Sequence, residues 1–560
     1  MNFFLTKEKC MLVTIVFGLN ALLWSYPVAS EELNCNARQE GPGQGYVCVC
    51  NSTYCDTIER PTPLPRGNYH WYSTSNSTPG FSHTTGTFRN VSFDNSSDVV
   101  FKVNASAQFQ EILGFGASFT DTSGMLINSL PEEAQDKFIE SYFGLTGIEY
   151  NLCRLPIGGT DYSPRVYTLD DVIDDEDLQY FSLTEEDFNL KIPYIKKAMS
   201  VSERGIRLMA CTWMAPSWMK DNNNNYRGYV RTKHYHTWAK YHIRFLEEYQ
   251  KQGINIWALS GGNEVMLTFV LPIALNSLNC TLVTAPIQRY WFKEHLSPLL
   301  AASNFSDVKL IVLDDMRLFA PYWMKHFAED PEAYKIIDGI GLHWYFDKYI
   351  PPSVLTFLHK NFPEKLIMYT ETSINGGFGP KAVDLGSWVR AEAYIYSIIE
   401  TFTHWTQSYL DWNLAVNLEG GPTLGMAVEG AIIVNSTAGE FYKQPIFYAM
   451  GHFSKFMPPG ARRIEVESNQ NITLEEYMNP TKLSKYADLE EFGSENHLEA
   501  SPTNPPIPPY VPKLLTVSIA TLNPDGSYSI VVYNSKNETQ HVRIEDPNLG
   551  SIVVDIEAHS

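Results

Sequence analysis

Two glutamates each follow an apolar run of strand character, and this placement suits paired acid and base chemistry. The run Ile254–Leu259 leads through two glycines into Asn263 and Glu264, and the run Leu366–Thr370 ends directly at Glu371. Two carboxyl groups that face each other can cleave a glycosidic bond, because one protonates the leaving oxygen while the other attacks the sugar or activates water. About 5 to 5.5 Å between the groups favours retention of configuration, whereas about 6.5 to 9.5 Å favours inversion.

These acids need a scaffold that brings the ends of distant strands together. Between residues 111 and 430, apolar strand-like runs alternate with helix-like stretches, a pattern typical of βα units and a parallel sheet. The eight predicted strands lie around Gly114–Gly116 and over Asn151–Leu155, Arg207–Thr212, Ile254–Leu259, Lys309–Leu313, Gly339–Trp344, Leu366–Thr370 and Leu410–Leu414. The predicted helices include Asn189–Val201, His234–Gln250, Ile287–Ala301 and Ser387–Thr403. This pattern predicts an α/β fold with a (β/α)₈ TIM barrel, in which Glu264 follows the fourth strand and Glu371 the seventh, on one rim.

The local pattern leaves other interpretations open. Glu264 alone could belong to an ordinary surface turn, since strands commonly end in Gly, Asn and a charged residue. The second strand, ending at Glu371, favours an active-site acid. His343 is interpreted as a hydrogen-bonded strand residue, and the histidines at 234, 236 and 242 have no carboxylate at ligand spacing. We therefore predict no metal site and no cofactor.

Both chain ends have the pattern of short β strands. Residues 31–110 contain strand-like runs such as Tyr69–Tyr72 and Val99–Val103, separated by Ser, Thr, Asn and Gly clusters. Residues 431–560 return to this pattern, with a hairpin predicted from Leu515–Leu522 and Ser527–Tyr533 around an Asn-Pro-Asp-Gly turn. The two ends are predicted to form an accessory all-β domain, a β-sandwich, beside the barrel of residues 111–430. Residues 479–513, rich in Pro, Glu and Ser, are predicted to be a long loop.

Charge and leader sequence exclude some functions and indicate a cellular compartment. The formal charge of −21 would repel a phosphate backbone, so no nucleic-acid partner is expected. Residues 1–30 have the charged, apolar and small-residue regions of a signal peptide, and no later stretch is long and apolar enough for a transmembrane helix. Ten Asn-x-Ser/Thr sequons follow, at positions 51, 76, 90, 95, 104, 279, 304, 435, 471 and 537. These features predict a glycoprotein of the secretory pathway.

Four cysteines lie close together near the start of the mature chain. In an oxidising compartment, Cys35, Cys48, Cys50 and Cys55 are expected to form disulfides. A zinc site is the alternative, but no histidine lies nearby and the Cys-x-Cys spacing is unusual for zinc. Of the three possible pairings we predict Cys35 with Cys48 and Cys50 with Cys55.

Several longer motifs extend over almost the whole mature chain. They are Cys48-Val-Cys50-Asn-Ser-Thr-Tyr-Cys55, Gly114-Phe-Gly116 with Thr120-Asp121, Ser141-Tyr-Phe143, Arg154-Leu-Pro156, Phe181-Ser-Leu183, Gln288-Arg289 with Leu296-Ser-Pro298, Leu313-Asp-Asp315, His343-Trp-Tyr345, Leu385-Gly-Ser-Trp388, Asp411-Trp-Asn413, Asn417-Leu-Glu-Gly-Gly-Pro422 and Gly451-His-Phe-Ser-Lys-Phe456. In these motifs the chain resembles the lysosomal glucosylceramidases, the acid β-glucosidases of glycoside hydrolase family 30. The resemblance implies a lysosomal, retaining enzyme that cleaves glucosylceramide-like glycosphingolipids at a membrane surface, with a saposin-type activator as partner.

The resemblance also implies roles for individual residues. Glu371 matches the nucleophile and Glu264 the acid/base, with Asn263 at the 2-hydroxyl of the substrate, Arg154 beside the nucleophile and Tyr345 at the cleft edge. The charge on Glu371 is expected to raise the pKa of Glu264 and keep it protonated for the first step. Once Glu371 is esterified, the pKa of Glu264 is expected to fall, so that it acts as a base toward water.

Three further residues are implied to line the glucose pocket. These are Asp121, Trp213 and Trp412. Without the resemblance, the two tryptophans would be interpreted as core aromatics of the barrel, and Asp121 as a helix N-cap.

The chain departs from the family pattern at the cleft. The family acid/base is usually followed by Pro and preceded two residues earlier by an acid, where this chain has Val265 and Gly262. The segment after Pro422 carries neither the usual Trp nor the usual Asn and runs to Ala427. Flexible glycines beside Glu264 could misplace it. Two alternatives follow: a catalytically weakened paralogue that binds glycolipid or carbohydrate, and a family hydrolase acting on a β-linked polysaccharide.

Overall fold

Eight parallel strands close into a barrel, as the alternation of apolar runs predicts. The computed structural model describes residues 34–39, 41, 45–89, 99–266, 280–374, 381–470 and 516–560; the predicted signal peptide and the predicted loop 479–513 lie outside these ranges. The barrel strands are β6 (Gly114–Ser118), β7 (Leu152–Ile157), β8 (Arg207–Thr212), β9 (Ala258–Ser260), β10 (Lys309–Met316), β11 (Gly339–His343), β12 (Leu366–Glu371) and β13 (Ser408–Asn413). Each strand pairs in parallel with the next, and β13 pairs with β6 to close the barrel.

The strands read as continuous apolar runs because they are buried on both faces. A layer of apolar side chains, drawn from strands around the barrel, packs together inside it: Leu113, Leu152, Met209, Ala258, Ile311, Met368 and Leu410. The helices that accompany the barrel and close the chain run over Asp121–Asn128, Glu132–Phe143, Ile192–Val201, Tyr235–Lys251, Ala285–Trp291, Ser297–Ala301, Ala320–Ala328, Pro331–Ile336, Ser353–Asn361, Trp388–Thr403 and Pro445–Ser454. In barrels of this type, the cleft lies at the rim formed by the carboxyl ends of the strands.

Two predicted elements differ from the structure for local reasons. Strand β9 begins at Ala258 rather than at Ile254, because the Ile254 N–H donates to the carbonyl of Tyr249 at the end of the preceding helix. The predicted helix Ile287–Ala301 is interrupted by a π-helical turn at Phe292–Leu296. Pro298 follows this turn, and proline has no N–H for the regular ladder.

Strands from both chain ends form the sheets outside the barrel. In one sheet, β1 (Ala37–Gln39) and β2 (Tyr46–Cys50) pair with β16 (Glu440–Lys443), β15 (Ile432–Asn435) and β14 (Val416–Asn417). In a six-stranded sheet, β5 (Val99–Glu111) lies among β17 (Arg462–Ser468), β18 (Thr516–Leu522), β19 (Tyr528–Asn534), β20 (Gln540–Asp546) and β21 (Gly550–Ile556). The hairpin of β3 (Asn68–Ser73) and β4 (Ser82–Thr87) packs on this sheet through Tyr69 and Trp71. Residues 431–443 thus pair with the N-terminal segment, and a domain boundary at residue 430 stays a proposal.

The predicted disulfides and the C-terminal hairpin are present. Cys35 is bonded to Cys48 and Cys50 to Cys55, so the predicted pairing is confirmed. Strands β18 and β19 form the predicted antiparallel hairpin. Among the described helices, none combines the length and the apolar character needed to cross a membrane.

Candidate active site

The two predicted glutamates lie together at the carboxyl-terminal rim of the barrel. Glu371 is the last residue of β12, the seventh barrel strand, and Glu264 lies four residues beyond β9, the fourth. His343, at the end of β11 between them, places Nδ1 2.9 Å from Oε1 of Glu264 and 3.8 Å from Oε1 of Glu371. One oxygen of each glutamate and a ring nitrogen of His343 lie within 4.8 Å of one another. The carboxyl groups can therefore act on the two atoms of one bond in a bound molecule.

Glu371 is fixed through both of its carboxylate oxygens. The Tyr345 hydroxyl donates to Oε1 at 2.7 Å, and the Arg154 guanidinium donates to Oε2. Arg154 is fully buried, and its other terminal nitrogen donates to Asp314 at 2.7 Å and to Asn263 at 2.6 Å. A carboxylate held on two sides in this way has a defined orientation, as an attacking nucleophile requires.

Glu264 is held in a different electrostatic environment. Burial raises the pKa of Glu264, and the charge on Glu371 raises it further, against the opposing effect of the His343 hydrogen bond. Burial alone would lower the pKa of His343, but Glu371, Asp314 and Glu264 raise it to about 10. His343 is therefore an imidazolium that donates to Glu264 through Nδ1 and to Asp314 through Nε2. A raised pKa favours the acid form of Glu264, which suits a proton donor.

The predicted pocket tryptophans lie beside this pair but are almost completely buried. Trp213 and Trp412 stack on each other with ring centroids 5.1 Å apart and are 4% and 3% exposed. The Arg154 guanidinium carbon lies 4.6 Å from the ring centroid of Trp213 and 5.7 Å from that of Trp412. Both rings thus support the nucleophile's arginine, and stacking on a sugar stays a prediction.

Asp121, the predicted pocket acid, has the contacts of a structural residue. Its carboxylate accepts from Ser163 at 2.5 Å and Tyr167 at 2.8 Å, lies 3.5 Å from the buried Lys191, and is 2% exposed. The alternative N-cap interpretation is wrong, because Thr120 caps the helix and Asp121 lies in its first turn. The role of Asp121 in the glucose pocket stays a prediction.

Asp161 is an acid whose pKa depends on both glutamates, and sequence reasoning missed it. Loss of hydration raises the pKa of Asp161 to about 7, and the charges on Glu371 and Glu264 contribute to this rise. Asp161 follows β7 by four residues, the same spacing that places Glu264 beyond β9. The signal that identified Glu264, an acid after glycines at a strand end, is therefore present in Pro-Ile-Gly-Gly-Thr-Asp161 as well.

The glycines before Glu264 are packed rather than loose. A Cβ on Gly261 would lie 2.7 Å from side-chain atoms of Gln288 and Phe292, and one on Gly262 would lie 2.8 Å from Val265. Val265 itself is fully buried. Glycine is thus required here for close approach, and the expected slack beside Glu264 is absent from this segment.

Among the described residues, two groups have the composition of metal ligands. One consists of Cys50, Cys55 and Asp56, and its cysteines form a disulfide. The other is the trio of Glu264, His343 and Glu371. A protonated His343 that donates from both ring nitrogens has no lone pair to offer a metal.

Comparison with known proteins identifies the family. The Glycosyl hydrolase family 30 TIM-barrel domain matches residues 112–457, and the Glycosyl hydrolase family 30 beta sandwich domain matches residues 516–560. The chain belongs to glycoside hydrolase family 30. The predicted barrel and accessory β-sandwich are thereby confirmed, and membership of family 30 makes the protein a glycosidase.

Relatives of the family 30 chain cover most of its length. Lysosomal acid glucosylceramidase of Mus musculus is 34% identical over 513 residues, which cover 90% of each chain. An endo-1,6-β-D-glucanase, BGN16.3 of Trichoderma harzianum, is 23% identical over 490 residues, 84% of this chain and 85% of its own. The crystal structure of SrfJ from Salmonella typhimurium has a TM-score of 0.73 at 25% identity and covers 88% of this chain and 98% of its own.

Proposed function

We propose that the protein is a retaining β-glucosidase that hydrolyses glucosylceramide-like glycosphingolipids to glucose and ceramide. The observation that carries the proposal is the pair of Glu371 and Glu264, with oxygens within 4.8 Å of each other on the rim of a family 30 barrel. This distance between the nearest oxygens fits the separation of about 5 to 5.5 Å in retaining enzymes better than the roughly 6.5 to 9.5 Å of inverting ones. The geometry supports a double displacement.

In the first step Glu371 attacks the anomeric carbon, with Arg154 and Tyr345 fixing its two oxygens. Glu264 protonates the leaving oxygen of the aglycone, so a glycosyl ester forms on Glu371 as the glycosidic bond breaks. Esterification removes the charge that helps to raise the pKa of Glu264, so its carboxylate form is then favoured. In the second step Glu264 takes a proton from water, and the hydroxyl oxygen attacks the anomeric carbon and releases Glu371.

Sugar recognition is proposed to involve Asp161 and Asn263 around the glutamates. Asp161 can accept from sugar hydroxyls, and Asn263, oriented by Arg154, can donate its amide N–H to the 2-hydroxyl. Trp213 and Trp412 would contribute the apolar wall of the pocket through their exposed edges.

The lipid substrate and the compartment are inferred from the relative and the sequence. The mouse protein is a lysosomal glucosylceramidase that aligns over 90% of both chains, which supports the same substrate class here. The predicted signal peptide and ten sequons fit the lysosomal lumen. An acidic protein working on a membrane surface is proposed to need a helper of the saposin type.

Replacement of the nucleophile tests the proposal. Glu371→Gln is expected to abolish turnover of an aryl β-glucoside and labelling by a cyclophellitol-type inhibitor, while the wild type releases β-glucose first in a time-resolved NMR assay. Glu264→Ala is expected to be slow and to regain activity with azide, which needs no general base. Labelling that survives in Glu371→Gln, or α-glucose as first product, contradicts the proposal.

One other substrate class has support, from the fungal endo-1,6-β-D-glucanase relative. If the protein turns over β-1,6-glucan faster than glucosylceramide in detergent micelles, the polysaccharide is the substrate. A wild type that binds glucosides without hydrolysing them would instead indicate the weakened paralogue.

A further inference from the structure

Strand β10 carries a bulge with two consecutive non-glycine residues in the left-handed region. Its pairing with β11 shifts between Leu313 and Asp315, and φ is 68° at Leu313 and 58° at Asp314. Glu264, which lies against this bulge, also has a positive φ of 46°. Such conformations are unfavourable for non-glycine residues and persist only where the surroundings hold them.

Because of the bulge, the neighbouring residues Asp314 and Asp315 both contact the segment that carries Glu264. In a regular strand, consecutive side chains point to opposite faces. Here the Asp314 side chain accepts from Arg154, His343 and Thr370, and its carbonyl accepts the Glu264 N–H at 3.0 Å. The next side chain, Asp315, turns toward the segment after Glu264.

Within the described part of the chain, the hydrogen bonds of the Asp315 carboxylate come from backbone N–H groups. One carboxylate oxygen accepts the Met266 N–H at 2.7 Å, and the other accepts the Met316 N–H at 2.7 Å. Asp315 is fully buried, and burial together with the charge of Glu264 raises its pKa to about 7. With both oxygens engaged and no exposure, it does not touch substrate.

We propose that Asp315 is a positioning residue for the acid/base Glu264. The Asp314 carbonyl holds the N–H of Glu264, and the Asp315 carboxylate holds the N–H two residues later, so the turn that presents Glu264 is tied to β10 on both sides. The inference rests on the proposed function, since it assigns Glu264 the proton transfer.

The consequence is specific to proton transfer. A shift of Glu264 by about 1 Å can cost about 100-fold in rate, but only where the leaving group needs a proton. The kcat/KM of a retaining enzyme reports steps up to formation of the glycosyl ester. A phenyl β-glucoside needs protonation in those steps, whereas a 2,4-dinitrophenyl β-glucoside departs without it.

The experiment compares these two substrates in the full-length glycoprotein. Asp315→Leu is expected to lower kcat/KM about 100-fold for the phenyl β-glucoside and less than about threefold for the dinitrophenyl one. Azide is expected to raise its kcat on the dinitrophenyl substrate. Asp315→Asn keeps one hydrogen-bond acceptor, so a smaller loss of kcat/KM, again confined to the phenyl β-glucoside, is expected. If Asp315→Leu does not fold, the test is made with Asp315→Asn.

Asp338 offers a matched control at the other end of β10. Its carboxylate accepts the Leu310 N–H at 2.9 Å and pairs with Lys309 at 2.8 Å. Asp338→Asn is expected to lower the unfolding temperature without any dependence on the leaving group. If the Asp315 variants lose rate equally on both substrates, Asp315 is merely structural and the inference is overturned. Wild-type hydrolysis of both glucosides, measured alongside, shows separately whether the proposed function holds.

Discussion

Asp161 and Asp121 differ in what surrounds them, and the difference predicts separate phenotypes. The charges on both glutamates raise the pKa of Asp161. The buried Asp121 carboxylate instead accepts hydrogen bonds from Ser163 and Tyr167 and lies near Lys191. Asp161→Asn is expected to lower kcat/KM for glucosides about 10- to 100-fold, since a hydrogen bond to a charged group is worth about 1.5–3 kcal/mol. Inhibition by a glucose-like iminosugar should weaken in parallel.

Asp121→Asn is the matched comparison for that prediction. It leaves Lys191 with one charged partner fewer in the interior, so a lower unfolding temperature is expected. The Michaelis constant of the folded fraction should stay near the wild-type value. A reversed pattern, with Asp121→Asn weakening inhibitor binding and Asp161→Asn only destabilising, would assign sugar binding to Asp121.

Replacement of His343 is expected to shift the pH dependence of kcat/KM. Its hydrogen bond and its charge lower the pKa of Glu264, so His343→Gln, which can keep a hydrogen bond without the charge, should raise that pKa. A higher pKa keeps Glu264 protonated to higher pH, so the basic limb of the kcat/KM profile should move upward. We also expect a roughly tenfold lower rate at the optimum from the lost charged hydrogen bond. A basic limb that moves downward would show that His343 does not act on Glu264.

Residue types and spacing predicted the glutamates but not their supports. Glu264 and Glu371 end apolar runs, a signal visible in sequence. The contact of His343 with Glu264, and the effect of both glutamates on the pKa of Asp161, depend on distant strands meeting at the barrel rim. Neither is encoded in a local pattern.

At the scale of elements, the alternation of apolar runs and helices predicted the barrel. Local backbone hydrogen bonds explain why the predicted bounds of one strand were wrong. Strand β8 begins and ends where the apolar run does, whereas β9 is shortened by the helix that precedes it. The bulge in β10 has no clear sequence signal, because it begins at Leu313 and leucine is rare in the left-handed region.

The loop 418–427, which we call the cleft-edge loop, contacts the segment that carries Asp161. The Leu424 N–H donates to the carbonyl of Asp161 at 2.7 Å, and the Tyr162 hydroxyl donates to that of Met426 at 2.7 Å. Leu424 is 46% and Met426 60% exposed. Two exposed apolar side chains beside a cleft suit contact with the lipid chains of the aglycone.

Removal of the exposed apolar side chains of this loop is expected to lower kcat/KM for a lipid substrate but not for a soluble one. The double variant Leu424→Ser with Met426→Ser is expected to lower kcat/KM about tenfold for glucosylceramide in neutral phosphatidylcholine vesicles, given about 25 cal/mol per Å² of apolar contact. Turnover of a soluble aryl β-glucoside should be unchanged. Val553→Ser, an exposed apolar position on β21, is the control. Equal losses on both substrates would mean that the loop only supports the cleft.

At the scale of the whole molecule, buried acids set the pH at which the fold is most stable. Burial is the first cause that raises the pKa of five aspartates to about 7: Asp161, Asp170, Asp315, Asp347 and Asp411. In the unfolded chain the pKa of an aspartate is about 3.9, so between pH 7 and pH 4 the folded state binds more protons. Stability therefore rises as the pH falls through this window. His242 and His452, with their pKa lowered by burial to about 4, oppose this. Burial also lowers the pKa of four further histidines: His234, His295, His326 and His359.

The unfolding temperature is accordingly expected to be several degrees higher at pH 5 than at pH 7.5. The formal charge of −21 at pH 7 acts in the same direction, because partial protonation of carboxylates reduces self-repulsion. Differential scanning fluorimetry at constant ionic strength measures the difference, and Asp411→Asn and Asp347→Asn should each reduce it, since an amide cannot take up the proton. A higher unfolding temperature at pH 7.5 would mean that the histidines, rather than the five aspartates, determine how stability changes with pH. The fold would then be adapted to a neutral rather than an acid compartment.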